Sequence, residues 1–312
     1  MEIHLQSVNS ISRRSFSKLG MVATTRVMLN DALAAEAKRG WIDAHVHVWT
    51  ADTQRYPLDK NFATSAMKPP SFTPEILFKH TEPVGVERIV LIQMSFYRFD
   101  NSYMLDVMER YPKKFSGVGI VDFRSPEVAS EMRKLAERGV RGFRITTRDG
   151  KTETWLSDAG MEMLWKTAAK EQLAVCPLIN PEDIPYVDKL CERFQDTTVV
   201  VDHFARIGKE GVNAEQLDGL CRLARFPNVY IKTSAFYAVG GESPYDSTLP
   251  MLRRLVDVFG PQRLMWASDC PYQVQAPHSY EPALAVIRDR MVGLSDSDRA
   301  WMLRGTAEKV FF

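Results

Sequence analysis

Trp41-Ile42-Asp43-Ala44-His45-Val46-His47-Val48-Trp49 is a short apolar run that turns polar towards its end. Residues two apart on a strand share a face, so Asp43, His45 and His47 are expected to project together. Two later runs end in the same way: Val199-Val200-Val201-Asp202-His203, and Leu264 through Ser268-Asp269. Three of the chain's six histidines lie in these pieces. One His-x-His carries little weight, but with His203 and Asp269 repeating the context it points to a single site. Two neighbouring imidazoles can share a metal or polarise a carbonyl, and an aspartate can move the proton.

Working outward, strands are expected over Trp41–Val48, Arg88–Ser95, Ser116–Asp122, Val140–Thr146, Leu173–Ile179, Thr197–Phe204, Asn228–Ala235 and Arg263–Cys270. Several are almost continuously apolar, as strands buried on both faces should be. Helical segments alternate with them. Ser125-Pro126-Glu127, Ser157-Asp158 and Pro181-Glu182-Asp183 each carry a helix start signal. Ser243-Pro244 is expected to open another helix, which Gly260-Pro261 stops. Strand and helix alternate at the length and rhythm of an α/β (β/α)8 TIM barrel in one domain, residues 39–312. An open doubly wound sheet is the rival, but no Gly-x-Gly-x-x-Gly follows the first strand. In such a barrel chemistry sits where strands end, which is where His45, His47, His203 and Asp269 fall.

Each candidate also has a structural reading. The histidines can be packed at a barrel end, although inward imidazoles need polar partners. Either Asp202 or His203 faces the pore, and His203 is the one expected. Asp269 can cap a helix start, or serve as the base. Arg144 can grip a substrate carboxylate or make an inter-strand ion pair. Trp49, Tyr56 and Lys232 are candidate substrate contacts, against ordinary packing, as are Tyr272 and His278 in loops. Val239-Gly240-Gly241-Glu242 can hinge a lid or simply turn the chain.

The 312 residues are 45% hydrophobic and 25% charged, as expected of a globular protein. The net charge of +1 argues against nucleic acid or an anionic membrane as partner; a small-molecule substrate is expected. The four cysteines show no paired spacing, so buried thiols are expected. Residues 1–38 differ from the rest. Ser12-Arg13-Arg14-Ser15-Phe16-Ser17-Lys18 reads as a twin-arginine export signal, with Ala32-Leu33-Ala34 as cleavage site. The expected location is then periplasmic, against a disordered or helical extension on a cytoplasmic protein.

At these residues the chain resembles the amidohydrolase superfamily, in its lactonase branch of 2-pyrone-4,6-dicarboxylate lactonase and L-fuconolactonase type. The matching pieces are Asp43 through Trp49, Arg55-Tyr56-Pro57, Gly142-Phe143-Arg144, Val201-Asp202-His203, Phe259 through Pro271, and Gly305 through Phe311. The resemblance implies a distorted TIM barrel that hydrolyses a cyclic ester. Asp269 would activate water, while His45, His47 and His203 would polarise the carbonyl or hold a metal. Metal-rich members carry Lys on strand four and His on strand five, where this chain has Arg144 and Cys176 through Asn180. A lysine-bridged binuclear centre is therefore not expected. The resemblance leaves one Zn²⁺ on His45, His47 and Asp269, or no metal. The expected function is a lactonase acting on a small organic or sugar acid, the alternative a decarboxylase of the aminocarboxymuconate semialdehyde type.

Overall fold

A computed structural model describes residues 40–147 and 151–312. The twin-arginine segment lies outside the described residues. Eight parallel strands run in sequence order: β1 (Trp41–Val46), β2 (Val86–Ile92), β3 (Phe115–Gly119), β4 (Val140–Thr146), β5 (Ala174–Leu178), β6 (Thr198–Val201), β7 (Val229–Thr233) and β8 (Leu264–Trp266). Helices between them cover the outer face, giving the expected (β/α)8 barrel. The interior is lined by Ile42, Val90, Val118, Val200 and Met265, and the final helix, Thr306–Phe311, plugs it with Ala307 and Phe311. Among the described residues no helix is long and apolar enough to cross a membrane.

Asp43 corrects the first expectation. Its pairing with Ile89, followed by that of Val46 with Leu91, sets three steps of β1 against two of β2. This bulge reverses the alternation of faces. His45 consequently points into the barrel, while Asp43 turns to the seam where β1 meets the end of β8. There Oδ1 accepts the Ser268 N–H at 2.9 Å and the His45 N–H at 3.2 Å, and Oδ2 accepts the Tyr280 hydroxyl at 2.6 Å. Burial pushes the Asp43 carboxyl up to about 6, and these bonds pull the other way. Two backbone bonds complete the closure: Asp269 N–H to His45 O at 2.9 Å, and His47 N–H to Cys270 O at 2.8 Å.

Asp43 is thus a closing residue of the barrel. Asp43→Leu should destabilise the protein by about 2–4 kcal/mol, because it strands buried donors. Asp43→Asn keeps an acceptor for the two N–H groups and should cost less than about 1.5 kcal/mol. Equal melting temperatures for the two variants would contradict this.

Several strands stop earlier than their apolar runs suggest. β1, β6, β7 and β8 end at residues 46, 201, 233 and 266, before the polar residues His47, His203 and Asp269. The backbone there leaves the strand region: φ is +52° at His203, +56° at Ala235 and +65° at Asp269. The helix expected from Ser243-Pro244 begins instead at Leu249 and runs to Phe259, with Pro250 in its first turn. The four cysteines are buried free thiols.

Candidate active site

His45, His47, His203 and Asp269 meet at the carboxyl end of the barrel, as the strand ends suggest. His45 Nε2 lies 3.3 Å from His47 Nε2, and Asp269 Oδ1 lies 3.4 Å from the first and 3.3 Å from the second. His203 Nε2 is 3.8 Å from Asp269 Oδ2. All four are nearly excluded from solvent. His47, His203 and Asp269 line a cavity of about 390 Å³ that Arg144, Arg206 and Tyr237 also line.

The partners decide where the protons sit. His47 Nδ1 is 2.8 Å from the Ile92 carbonyl, which only accepts, so Nδ1 carries the proton and Nε2 is bare. Arg144 lies with its NH2 3.0 Å from His45 Nε2 and can only donate, so that nitrogen is bare too. His45 Nδ1 lies 3.3 Å from Asp202 Oδ1 and 3.2 Å from Lys232 Nζ. Burial, with Lys232 beside it, holds His45 well below its ordinary pKa and hence neutral. Burial likewise lowers His203 to about 4. Burial opposes ionisation of Asp269, but the surrounding imidazoles, His203 foremost, hold its carboxyl below the usual range.

Two bare imidazole nitrogens therefore face a carboxylate oxygen, and Asp269 Oδ1 is buried without a hydrogen bond. His45 Nε2 already has Arg144 beside it, so a metal ion among the three would have to displace that guanidinium, while it would relieve the facing of His47 Nε2 and Asp269 Oδ1. Ligands 2.0–2.1 Å from a shared zinc stand about 3.3 Å apart in a tetrahedron, which is the spacing found here. His45, His47 and Asp269 thus suit a divalent metal. The Asp202–His45 contact supplies the carboxylate partner that orients a metal-binding imidazole. A second group, His45, Asp202 and His203, also comes together. It suits a metal poorly, because Asp202 is already taken by Lys232 at 3.0 Å and Arg144 at 3.2 Å.

The Amidohydrolase family model matches residues 42–312, the whole barrel with this site. The chain belongs to the amidohydrolase family. An L-fucono-1,5-lactonase of Burkholderia ambifaria is 28% identical over 240 residues, covering 76% of this chain and 82% of its own. A 4-sulfomuconolactone hydrolase of Hydrogenophaga intermedia is 29% identical over 237 residues, covering 74% of each. An amidohydrolase of Burkholderia multivorans, solved with zinc bound, superposes with a TM-score of 0.73 at 23% identity, covering 87% of this chain and 98% of its own. The last likeness supports the fold alone.

In this amidohydrolase the other sequence candidates take different places. Trp49 is fully buried, packs edge-on against Phe96 and donates its indole N–H to Pro69 O at 2.8 Å. The Tyr56 hydroxyl is committed to Asp106 at 2.7 Å. Neither lines the cavity, since both rings pack among the apolar side chains outside the strands. Lys232 is fully buried against Asp202 and His45, so it supports the site and does not reach a substrate in the cavity. Arg144 is at the cavity, but its guanidinium is engaged by Asp202 and His45. It makes an ion pair with Asp202 at 3.2 Å.

Asp202 was set against His203 as an alternative, yet both point inward. β6 ends at Val201, and His203, Phe204, Ala205 and Arg206 all take left-handed φ, from 52° to 59°. Such a turn costs roughly 1–2 kcal/mol per residue, so packing must hold it. Phe204, Ala205 and Ile207 are fully buried. Residues three apart in such a turn share a face, which brings His203 and Arg206 to the cavity together. No glycine marks the turn, so nothing in the sequence signals Arg206. Tyr237 was also not legible: from the short helix Phe236–Val239 after β7 its hydroxyl donates to Asp269 Oδ2 at 2.7 Å. His203 Nδ1 is held by Ser234 Oγ at 2.7 Å.

Proposed function

We propose that this amidohydrolase opens a lactone by adding water to its ring carbonyl. The observation that carries the reading is the ionised Asp269, with one oxygen tied by Tyr237 and the other open to the imidazoles beside the cavity. The lactonase names of the two relatives point the same way. Asp269 accepts a proton from water as the water oxygen bonds to the carbonyl carbon. When the ring C–O bond breaks, the same proton passes to the alkoxide, and the new carboxylic acid ionises. Tyr237 keeps Asp269 turned towards the water. A divalent metal, held by His45, His47 and Asp269, supplies Lewis acidity to the carbonyl when bound. Because both Nε2 atoms are bare, His45 and His47 serve as ligands or proton acceptors and do not donate to the carbonyl.

A panel of sugar-acid 1,5-lactones and 2-pyrones, followed by proton release and by CO₂ evolution, tests this. Proton release without gas is expected for at least one member. Gas evolution instead would replace lactonase by decarboxylase. Metal analysis should find about one divalent ion per chain, and chelation should lower kcat by at least about tenfold. Full activity in metal-free protein would assign the histidines to proton transfer alone.

A further inference from the structure

Two loops build one wall of the cavity: Tyr237, Ala238 and Val239 after β7, and Tyr272 after β8. Behind that wall, in the short turn Tyr272–Val274, Gln273 is fully excluded from solvent. Its amide joins three segments. Oε1 accepts the Tyr237 N–H at 3.4 Å, while Nε2 donates to the Tyr245 hydroxyl at 2.8 Å and to Ser279 O at 3.0 Å. The amide can take only this orientation, because the Tyr237 N–H only donates and Ser279 O only accepts. A carboxylate would lack the donors, and a hydrocarbon would lack donors and acceptor alike.

Tyr245 carries the link onward. Its oxygen accepts from Gln273, so its hydrogen goes to His278 Nδ1, 3.1 Å away. The fully buried Tyr245 ring stacks on His278 and on Phe236, the first residue of the short helix. The chain is drawn in tightly there: a Cβ on Gly240 would stand 2.7 Å from Thr248 Cγ2 and 2.9 Å from Phe236 O. Gln273, Tyr245 and His278 do not line the cavity. They reach it through Tyr237, whose hydroxyl donates to Asp269 Oδ2 at 2.7 Å.

We infer that Gln273 is a positioning residue: it locks the loop after β7 to the loop after β8, and so holds the Tyr237 hydroxyl on Asp269. Loss of that lock lets the Tyr237 backbone shift, and a misplacement of about 1 Å near the reacting atoms can cost on the order of 10²-fold in rate. The inference rests on the lactonase reading and adds to it a residue outside the cavity.

A double-variant cycle tests it. Gln273→Met should lower kcat on the best lactone by about 10- to 100-fold and change KM by less than about threefold. Gln273→Glu keeps an acceptor for the Tyr237 N–H and should retain part of the rate. Tyr237→Phe should lower kcat by a similar amount to Gln273→Met. Adding Gln273→Met to it should then cost less than about threefold more, because the hydroxyl that Gln273 positions is gone. A folded Gln273→Met protein with unchanged kcat, or losses that multiply in the double variant, would overturn the inference while leaving the lactonase intact.

The phenol-carbon resonances of isotopically labelled tyrosines read the same link without turnover. The Tyr237 signal, identified by its loss in Tyr237→Phe, should shift or broaden in Gln273→Met. If no lactone is opened but that change is found, the positioning role stands and the lactonase reading falls. An unmoved Tyr237 signal would overturn the inference. Should Gln273→Met fail to fold, Tyr245→Phe takes its place in both measurements, since it removes only the hydroxyl bonded to Gln273 and His278. It should lower kcat about threefold and move the Tyr237 signal, and no change in either would overturn the inference equally.

Discussion

Asp269→Asn should lower kcat by about 10²–10⁴ while the barrel stays folded. Asparagine keeps the size of the side chain and its place at the seam, where the backbone N–H of residue 269 bonds His45 O. It removes the basicity that takes a proton from water, and the negative charge that faces two bare imidazole nitrogens. Metal occupancy should fall with it, since one of three donors becomes neutral. His45→Ala and His47→Ala should each damage turnover as well. Their losses should not add to that of Asp269→Asn, because residues acting as a unit lose most of their effect together. A folded Asp269→Asn protein that turns over its best lactone at near-wild-type rate would remove Asp269 from the mechanism.

Asp202→Asn should be the most destabilising of the conservative changes near the site, at about 3–5 kcal/mol. Asp202 is fully buried and is shared by Lys232 at 3.0 Å and Arg144 at 3.2 Å. Burial opposes its charge, yet Lys232, His45 and Arg144 hold its carboxyl well below the usual range. Neutralising it leaves two buried cations facing each other without an anion between them. Lys232→Met should cost less, because Asp202 and Arg144 remain a balanced pair. The double variant Asp202→Asn/Lys232→Met should recover part of the loss, a coupling of roughly 0.5–3 kcal/mol. Denaturant melts of the three proteins check this. Asp202→Asn as stable as the wild type, or Lys232→Met as the weaker protein, would sink the account. Turnover should also drop in Asp202→Asn, since Asp202 holds Arg144 and Lys232, the two cations in contact with His45.

The barrel and the meeting of His45, His47, His203 and Asp269 were legible because both follow from order along the chain. Apolar runs at regular spacing become parallel strands, and a polar residue closing such a run arrives at the same rim as the others. What failed were inferences from strict alternation. One extra residue in β1 turned Asp43 away from His45 and made it the clasp of the seam. A left-handed turn after β6 made Asp202 and His203 partners in one site, and carried Arg206 in with them. Trp49 and Tyr56 looked like loop contacts to a ligand but found neighbours in the apolar layer, at Pro69 O and Asp106.

By itself, the order of residues determined the eight-strand barrel, its family and the four polar groups at its mouth. Periodicity and the ends of apolar runs are local properties, and closure of the barrel converts them directly into position. Only the tertiary structure decided which charges face a ligand and which face one another. Arg144, Lys232 and Asp202 lie far apart in sequence, and their pairing depends on distances across the barrel that no local pattern encodes. That pairing is what turns Arg144 and Lys232 onto Asp202 and His45.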